Sequence, residues 1–138
     1  MCVHFHSGNV IGGVWISLAH KDREELYIIT EVIFSDGKFF KQNKPTPGVP
    51  GGLIENKWYH IVLSISPSMG GFVTYVDGKV YHDDKNEKQR SPSNLLSEPF
   101  LVCKATPDTE IHCDDFMVWD REFDANEVEE FYQDYDVK

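Results

Sequence analysis

Lys57-Trp58-Tyr59-His60-Ile61-Val62-Leu63-Ser64-Ile65-Ser66 and Phe72-Val73-Thr74-Tyr75-Val76-Asp77-Gly78-Lys79-Val80-Tyr81 are the stretches that decide the fold. From Trp58 to Ser66 the residues alternate. Ile61, Leu63 and Ile65 share one face, and His60, Val62, Ser64 and Ser66 share the other. A period of two is the period of a strand, because successive side chains leave opposite faces of the pleat. Pro67-Ser68-Met69-Gly70-Gly71 turns the chain, and Phe72 to Val76 is the next strand. Asp77-Gly78 then leads into Lys79-Val80-Tyr81. Asp-Gly between two apolar runs predicts a type I′ hairpin turn, which requires positive φ at both central residues.

The same grammar extends outward in both directions. Val14 to Ala19 reads as a strand after Gly12-Gly13, and Leu26 to Phe34 as another. Ser35-Asp36-Gly37-Lys38 is a second Asp-Gly turn, with Phe39-Phe40 beyond it. Residues 43–52 hold three prolines and three glycines and predict a loop, since proline cannot donate to a ladder. Residues 82–97 read as a polar, irregular loop. Phe100-Leu101-Val102-Cys103 and Phe116-Met117-Val118-Trp119 supply the last strands.

One helix closes the chain. Asp124 is placed as an N-cap, and Glu127 three residues on completes a capping box. Phe123 and Val128 are spaced for a hydrophobic staple. Val128, Phe131, Tyr132 and Tyr135 recur at helical spacing and form one apolar face. Many short strands with a single short terminal helix predict an all-β sandwich or jelly roll, with an open α+β sheet as the alternative. At 138 residues the chain suits a single domain over 1–138.

The formal net charge is −10. Residues 1–107 hold eleven acids and eleven bases, whereas residues 108–138 hold twelve acids and two bases. The imbalance therefore lies wholly in the last segment. No clustered basic patch exists to neutralise phosphates, so no nucleic-acid partner is expected. No apolar run reaches the roughly 20 residues that span a bilayer, so no membrane insertion is expected. The first residues show no basic n-region or apolar h-region, so no signal peptide is visible. Cys2, Cys103 and Cys113 fit no zinc spacing, and the pairing of Cys103 with Cys113 is left open between buried thiols and one disulfide.

Three motifs in order carry a family resemblance. Lys57 to Leu63 with Phe72 to Lys79 resembles the "W-x-H-V … L-Y-V-D-G-K" signature of laminin-G-like and pentraxin-like domains, in the concanavalin A-like superfamily. Asp114 to Val128 resembles that family's closing "D-D/E-F-x-x-W-x-R-x-L-S-x-x-E-I" segment, and Glu25 to Phe40 its earlier hairpin. The match runs from Val14 to Tyr132. It implies an all-β, two-sheet antiparallel jelly-roll sandwich, here with one short C-terminal helix, an extracellular setting and binding of glycans, proteins or lipids, often with calcium at the rim. Family members commonly carry further strands before Val14, so the chain is a shortened variant or a fragment. The pentraxin calcium loop is represented only by residues 104–111. A full two-calcium site, needing about 6–8 oxygens per ion, is not expected.

The candidate cation ligands are Asp108, Glu110, Asp114 and Asp115, with room for one calcium ion as the sole cofactor. His82-Asp83-Asp84 reads as a solvated loop tip, and His4-x-His6 lacks the third ligand a metal needs. Trp58 and Trp119 occupy signature core positions and are expected to pack, as is Trp15. Tyr59, Tyr81, Phe39 and Phe40 are the candidate ligand-binding aromatics, because half-apolar rings suit a sugar or protein surface. No Glu-x-Asp-x-Glu strand, nucleophile elbow, phosphate loop or His-Glu-x-x-His helix is present. The expectation is a non-catalytic extracellular recognition or adhesion module that binds a glycan or protein through rim loops 43–52 and 82–97. A protein–protein or homo-oligomerisation module is the second reading, and a carbohydrate-active enzyme the third.

Overall fold

The computed structural model describes residues 3–5, 13–21, 25–33, 39–42, 53–66, 71–84, 100–102, 112–115, 117, 119 and 121–134. Eight strands and one helix lie among them: β1 (Val3–Phe5), β2 (Gly13–Lys21), β3 (Glu25–Ile33), β4 (Phe39–Gln42), β5 (Ile61–Ser66), β6 (Gly71–Val76), β7 (Lys79–Asp84), β8 (Phe100–Val102) and α1 (Ala125–Asp134). They form a five-stranded sheet in the order β4-β3-β2-β1-β8 and a three-stranded sheet in the order β5-β6-β7. Every described pairing is antiparallel. In the first sheet only the backbone pairing is described, apart from the side chains of residues 28–30.

The Asp-Gly turn in the second sheet forms as the sequence predicts. Asp77 has φ 49° and Gly78 φ 75°. Ile33 pairs with Phe39, as a hairpin across Asp36-Gly37 requires, although that turn lies outside the described residues. The strand expected from Trp58 starts instead at Ile61. The reason is the turn itself: β6 ends at Val76, opposite Ile61, and leaves no ladder partner for residues 58–60. The Asp77 carboxylate takes over there, with Oδ1 accepting from the His60 N–H at 3.0 Å. The Asp77 N–H donates to the His60 carbonyl at 2.8 Å.

The three-stranded sheet is covered on both faces. On one side Tyr81, Leu53 and Ile28 of β3 form a buried cluster, with Tyr59, Ile61, Leu63 and Val76 packed against it. On the other side Val73, Tyr75 and Val128 of α1 form a second cluster with Val62, Val80 and Phe123. Burial on both faces explains why Gly71 to Tyr75 of β6 are all buried, the one polar residue among them, Thr74, being satisfied by the Thr30 hydroxyl at 2.8 Å.

A bulge makes β7 depart from simple alternation. Tyr75 pairs with Val80 and Thr74 with His82, so Tyr81 is an extra residue in the ladder. Val80 faces the helix while Tyr81 and His82 both turn toward β3. Bulges re-aim side chains in this way. The Tyr81 hydroxyl accepts from the Ile28 N–H at 3.3 Å, at a point of β3 beyond the end of its β4 pairing.

Helix α1 is fixed by local chemistry. The Asp124 Oδ1 accepts from the N–H groups of Asn126 and Glu127, each at 2.9 Å. Glu127 Oε2 accepts from the Asp124 N–H at 3.0 Å, completing the capping box. Those bonds, with Arg121 at 2.6 Å from Glu127 Oε1, hold the Glu127 carboxyl below its ordinary range. The Ser64 hydroxyl donates to the Phe123 carbonyl at 2.9 Å and accepts from the Phe123 N–H at 3.0 Å, tying β5 to the helix start.

Three expectations are corrected. Residues 82–84 belong to β7 rather than a loop, with His82 buried at 1% exposure. Trp58 and Trp119 are not core residues but stand 46% and 39% exposed. Met117 and Trp119, the described residues of the expected closing strand, lie outside any strand. The left-handed Asp115, φ 50°, breaks the extended run just before them.

Candidate functional site

Residues 53–60 enter the three-stranded sheet as a short loop locked at both ends. Leu53 is anchored in the core between β3 and β7. Asn56 adopts φ 59°, a left-handed conformation that Asn tolerates better than most residues. The Tyr59 ring packs on the core, and its hydroxyl reaches back to accept from the Ile54 N–H at 2.7 Å. Lys57 Nζ lies 4.8 Å from the Tyr59 ring centroid and 3.8 Å from Asp77 Oδ2. His60 sits against the rings of Phe131 and Tyr132, at 5.9 and 5.8 Å. Burial lowers the His60 pKa, and Asp77 opposes that shift.

These constraints send two large apolar side chains outward. Ile54 is 68% exposed and Trp58 46%. Trp58 is met edge-on by His112, with ring centroids 6.3 Å apart, which brings residues 112–115 alongside the loop. Asp114 and Asp115 are exposed there, and Asp114 Oδ1 accepts from the Asp115 N–H at 3.0 Å. Trp119 stands at right angles to Phe131, 5.4 Å away, and 4.9 Å from Phe123.

The candidate site residues separate. Tyr59 borders the loop as its internal clasp. Tyr81 is 2% exposed with its hydroxyl committed to β3, so it is a core residue and not a ligand contact. Phe39 and Phe40 lie in β4, with only their backbone described. Asp108 and Glu110 lie outside the described residues, as do Cys103 and the 43–52 and 85–97 loops. The expected four-acid cation set is therefore described only at Asp114 and Asp115. Among the described residues no three His, Cys, Asp or Glu side chains are grouped to hold a metal. His4 pairs in β1, and His6 and the Trp15 side chain are outside the description. No helix among the described residues is long and apolar enough to cross a membrane.

Two features escape the sequence reading. Ile54 has a faint signal, as the second residue of a Leu-Ile pair between a Pro/Gly-rich stretch and the polar Glu55-Asn56-Lys57. His82 has none, because the bulge that turns it inward breaks the alternation that would place it. Its Nδ1 lies 3.2 Å from Thr30 Oγ1, which shares a hydrogen bond of 2.8 Å with Thr74 Oγ1. Burial drops the His82 pKa to about 4.

No family model matches the chain. No curated protein sequence matches it. One solved structure is similar: the S-layer domain-containing protein, residues 221–444, from Clostridium thermocellum ATCC 27405. It shares 16% identity over 92% of this chain and 66% of that one, with a TM-score of 0.44.

Proposed function

We propose that the chain is a non-catalytic recognition module of the laminin-G-like or pentraxin-like kind, a jelly roll working outside the cell. It binds a glycan or an extracellular protein segment through residues 53–58, which follow the Pro/Gly-rich 43–52 stretch in sequence. The observation that carries this reading is the presentation of Ile54 and Trp58 on a loop whose both ends are fixed. Large apolar side chains held outward by a rigid frame are the usual anchors of binding sites. The ordered Asn56 conformation supports it too, since left-handed non-glycine residues persist where surrounding structure enforces them.

Ile54 favours a protein ligand, because an aliphatic side chain neither stacks on a sugar face nor bonds its hydroxyls. The test is direct. The protein and its Trp58→Ala variant are run on a glycan array and against captured extracellular proteins, with and without a calcium chelator. Binding that is lost with Trp58 supports the module. Retention of every bound ligand by Trp58→Ala removes the loop from the reading. The chelator arm reports on the Asp108, Glu110, Asp114 and Asp115 set, and light scattering on self-association.

A further inference from the structure

Resting on that reading, we infer that the Ile54–Trp58 loop takes a cationic protein segment, an extended stretch that places one apolar side chain beside Lys or Arg. The apolar part follows from the loop. Ile54 and Trp58 are the two most exposed large hydrophobic side chains among the described residues. They sit on a backbone already ordered by Leu53, Asn56 and the Tyr59 hydroxyl, so a partner orders little on docking.

The charge part follows from what surrounds Trp58. His112, which meets Trp58 edge-on, is followed two and three residues later by the exposed Asp114 and Asp115. Their backbone is also ordered, by the Asp114 side chain and the left-handed Asp115. Lys57, the cation of the loop, is turned back onto Asp77 and the Tyr59 ring. The Lys57 ammonium of this loop therefore already faces a carboxylate, whereas Asp114 and Asp115 are exposed. Over a longer range, residues 108–138 carry the chain's whole net charge of −10. A net negative charge of that size favours the approach of cations over polyanions. A sulfated glycan would meet repulsion.

The experiment measures fluorescence anisotropy with labelled peptides of one length. The first carries Leu and Trp flanked by Arg and Lys. In the second the cations are Gln, in the third Glu, and in the fourth the cations remain but Leu and Trp are Ala. A heparin oligosaccharide is the polyanion probe. The cationic apolar peptide binds tightest, at least tenfold above the other three. Trp58→Ala weakens it about thirtyfold, the range of an interface hot spot. The Asp114→Asn, Asp115→Asn double variant weakens it severalfold and flattens its salt dependence. All three positions are exposed, and circular dichroism confirms the folded state of each variant.

Binding of the Gln peptide or of heparin as tightly as the cationic peptide overturns the charge inference and leaves a Trp58-dependent module standing. Equal binding of the Ala-substituted cationic peptide reduces the effect to bulk charge and overturns it as well. Insensitivity of all binding to Trp58→Ala overturns both the inference and the module reading.

Discussion

Acidification from pH 7 to 4 weakens the joint between β3 and the three-stranded sheet, and His82 is the group through which it acts. The ring is 1% exposed. Thr30 faces it from β3, Thr74 lies one hydrogen bond further in β6, and the Tyr81 ring stands edge-on at 4.7 Å. Its Nε2 has no hydrogen-bond partner among the described residues. Burial alone depresses its pKa, from 6.5 to about 4, with no neighbouring charge contributing. The sign follows from proton uptake. In the unfolded chain the imidazole takes its proton near pH 6.5, but in the folded chain only near 4. The unfolded state therefore binds more protons between those values, and stability falls as pH falls. The contribution is intact above 6.5 and fully lost below about 4. At 1.36 kcal/mol per unit the loss is at most about 3 kcal/mol. That is a substantial part of a typical domain stability of about 5–15 kcal/mol. The assay is urea unfolding at half-unit pH steps for the protein and its His82→Gln variant. The difference between the two isolates His82 from His60 and the carboxylates, which titrate in both. The variant loses up to about 3 kcal/mol less across the window. Parallel pH curves would refute the reasoning. So would a His82 imidazole resonance that titrates in the folded protein near pH 6.5, a measurement that needs no variant.

Gly78→Ala lowers the melting temperature, because Gly78 combines φ 75° with a position where a Cβ would lie 3.0 Å from Tyr132 Cδ1. Left-handed strain alone costs about 1–2 kcal/mol, and an unchanged melt would show that α1 does not pack on this turn. Asp124→Ala removes the N-cap that bonds Asn126 and Glu127, with a loss of about 1 kcal/mol and reduced helical ellipticity. Tyr59→Phe leaves stability within about 1 kcal/mol, since the freed Ile54 N–H is at an exposed position and turns to water. It nevertheless weakens any Trp58-dependent binding severalfold by releasing the loop, and wild-type affinity in that variant would contradict the clasp.

The hairpin chemistry of this fold is legible residue by residue. Asp77-Gly78 announces its turn because few residues accept positive φ, and Asp124 with Glu127 announces the helix start because the bonds are local. Alternation in Ile61 to Ser66 places Ile61 and Leu63 toward β3 and Val62 toward α1. What is hidden depends on contacts distant in sequence. The start of β5 is set by where β6 stops, not by Trp58. The facing of Trp58 then follows from the loop rather than from a ladder. The burial of His82 depends on one extra residue in β7, which reverses its face without leaving a composition signal. The candidate site was half legible for the same reason. Its aromatic character could be read, but which aromatics face out could not. Tyr59 and Tyr81 have similar strand-like contexts, yet one clasps a loop and the other fills the core.

Asp77 links this fold to the proposed recognition surface. Its backbone makes the turn that ends β6, and its carboxylate accepts from His60 and faces Lys57. A residue chosen for turn geometry thus also fixes the C-terminal end of the 53–60 loop and pairs with that loop's cation. The sheet beneath it is held on both faces, by β3 on one and by α1 on the other. The loop therefore inherits its rigidity from the most deeply packed part of the described structure. A rigid loop loses less conformational freedom on binding, so its two exposed apolar side chains can contribute more of their burial to affinity. The same coupling makes the surface sensitive to acid. Loss of the His82 joint loosens the layer on which Leu53 and Tyr59 are seated, and with it the presentation of Ile54 and Trp58.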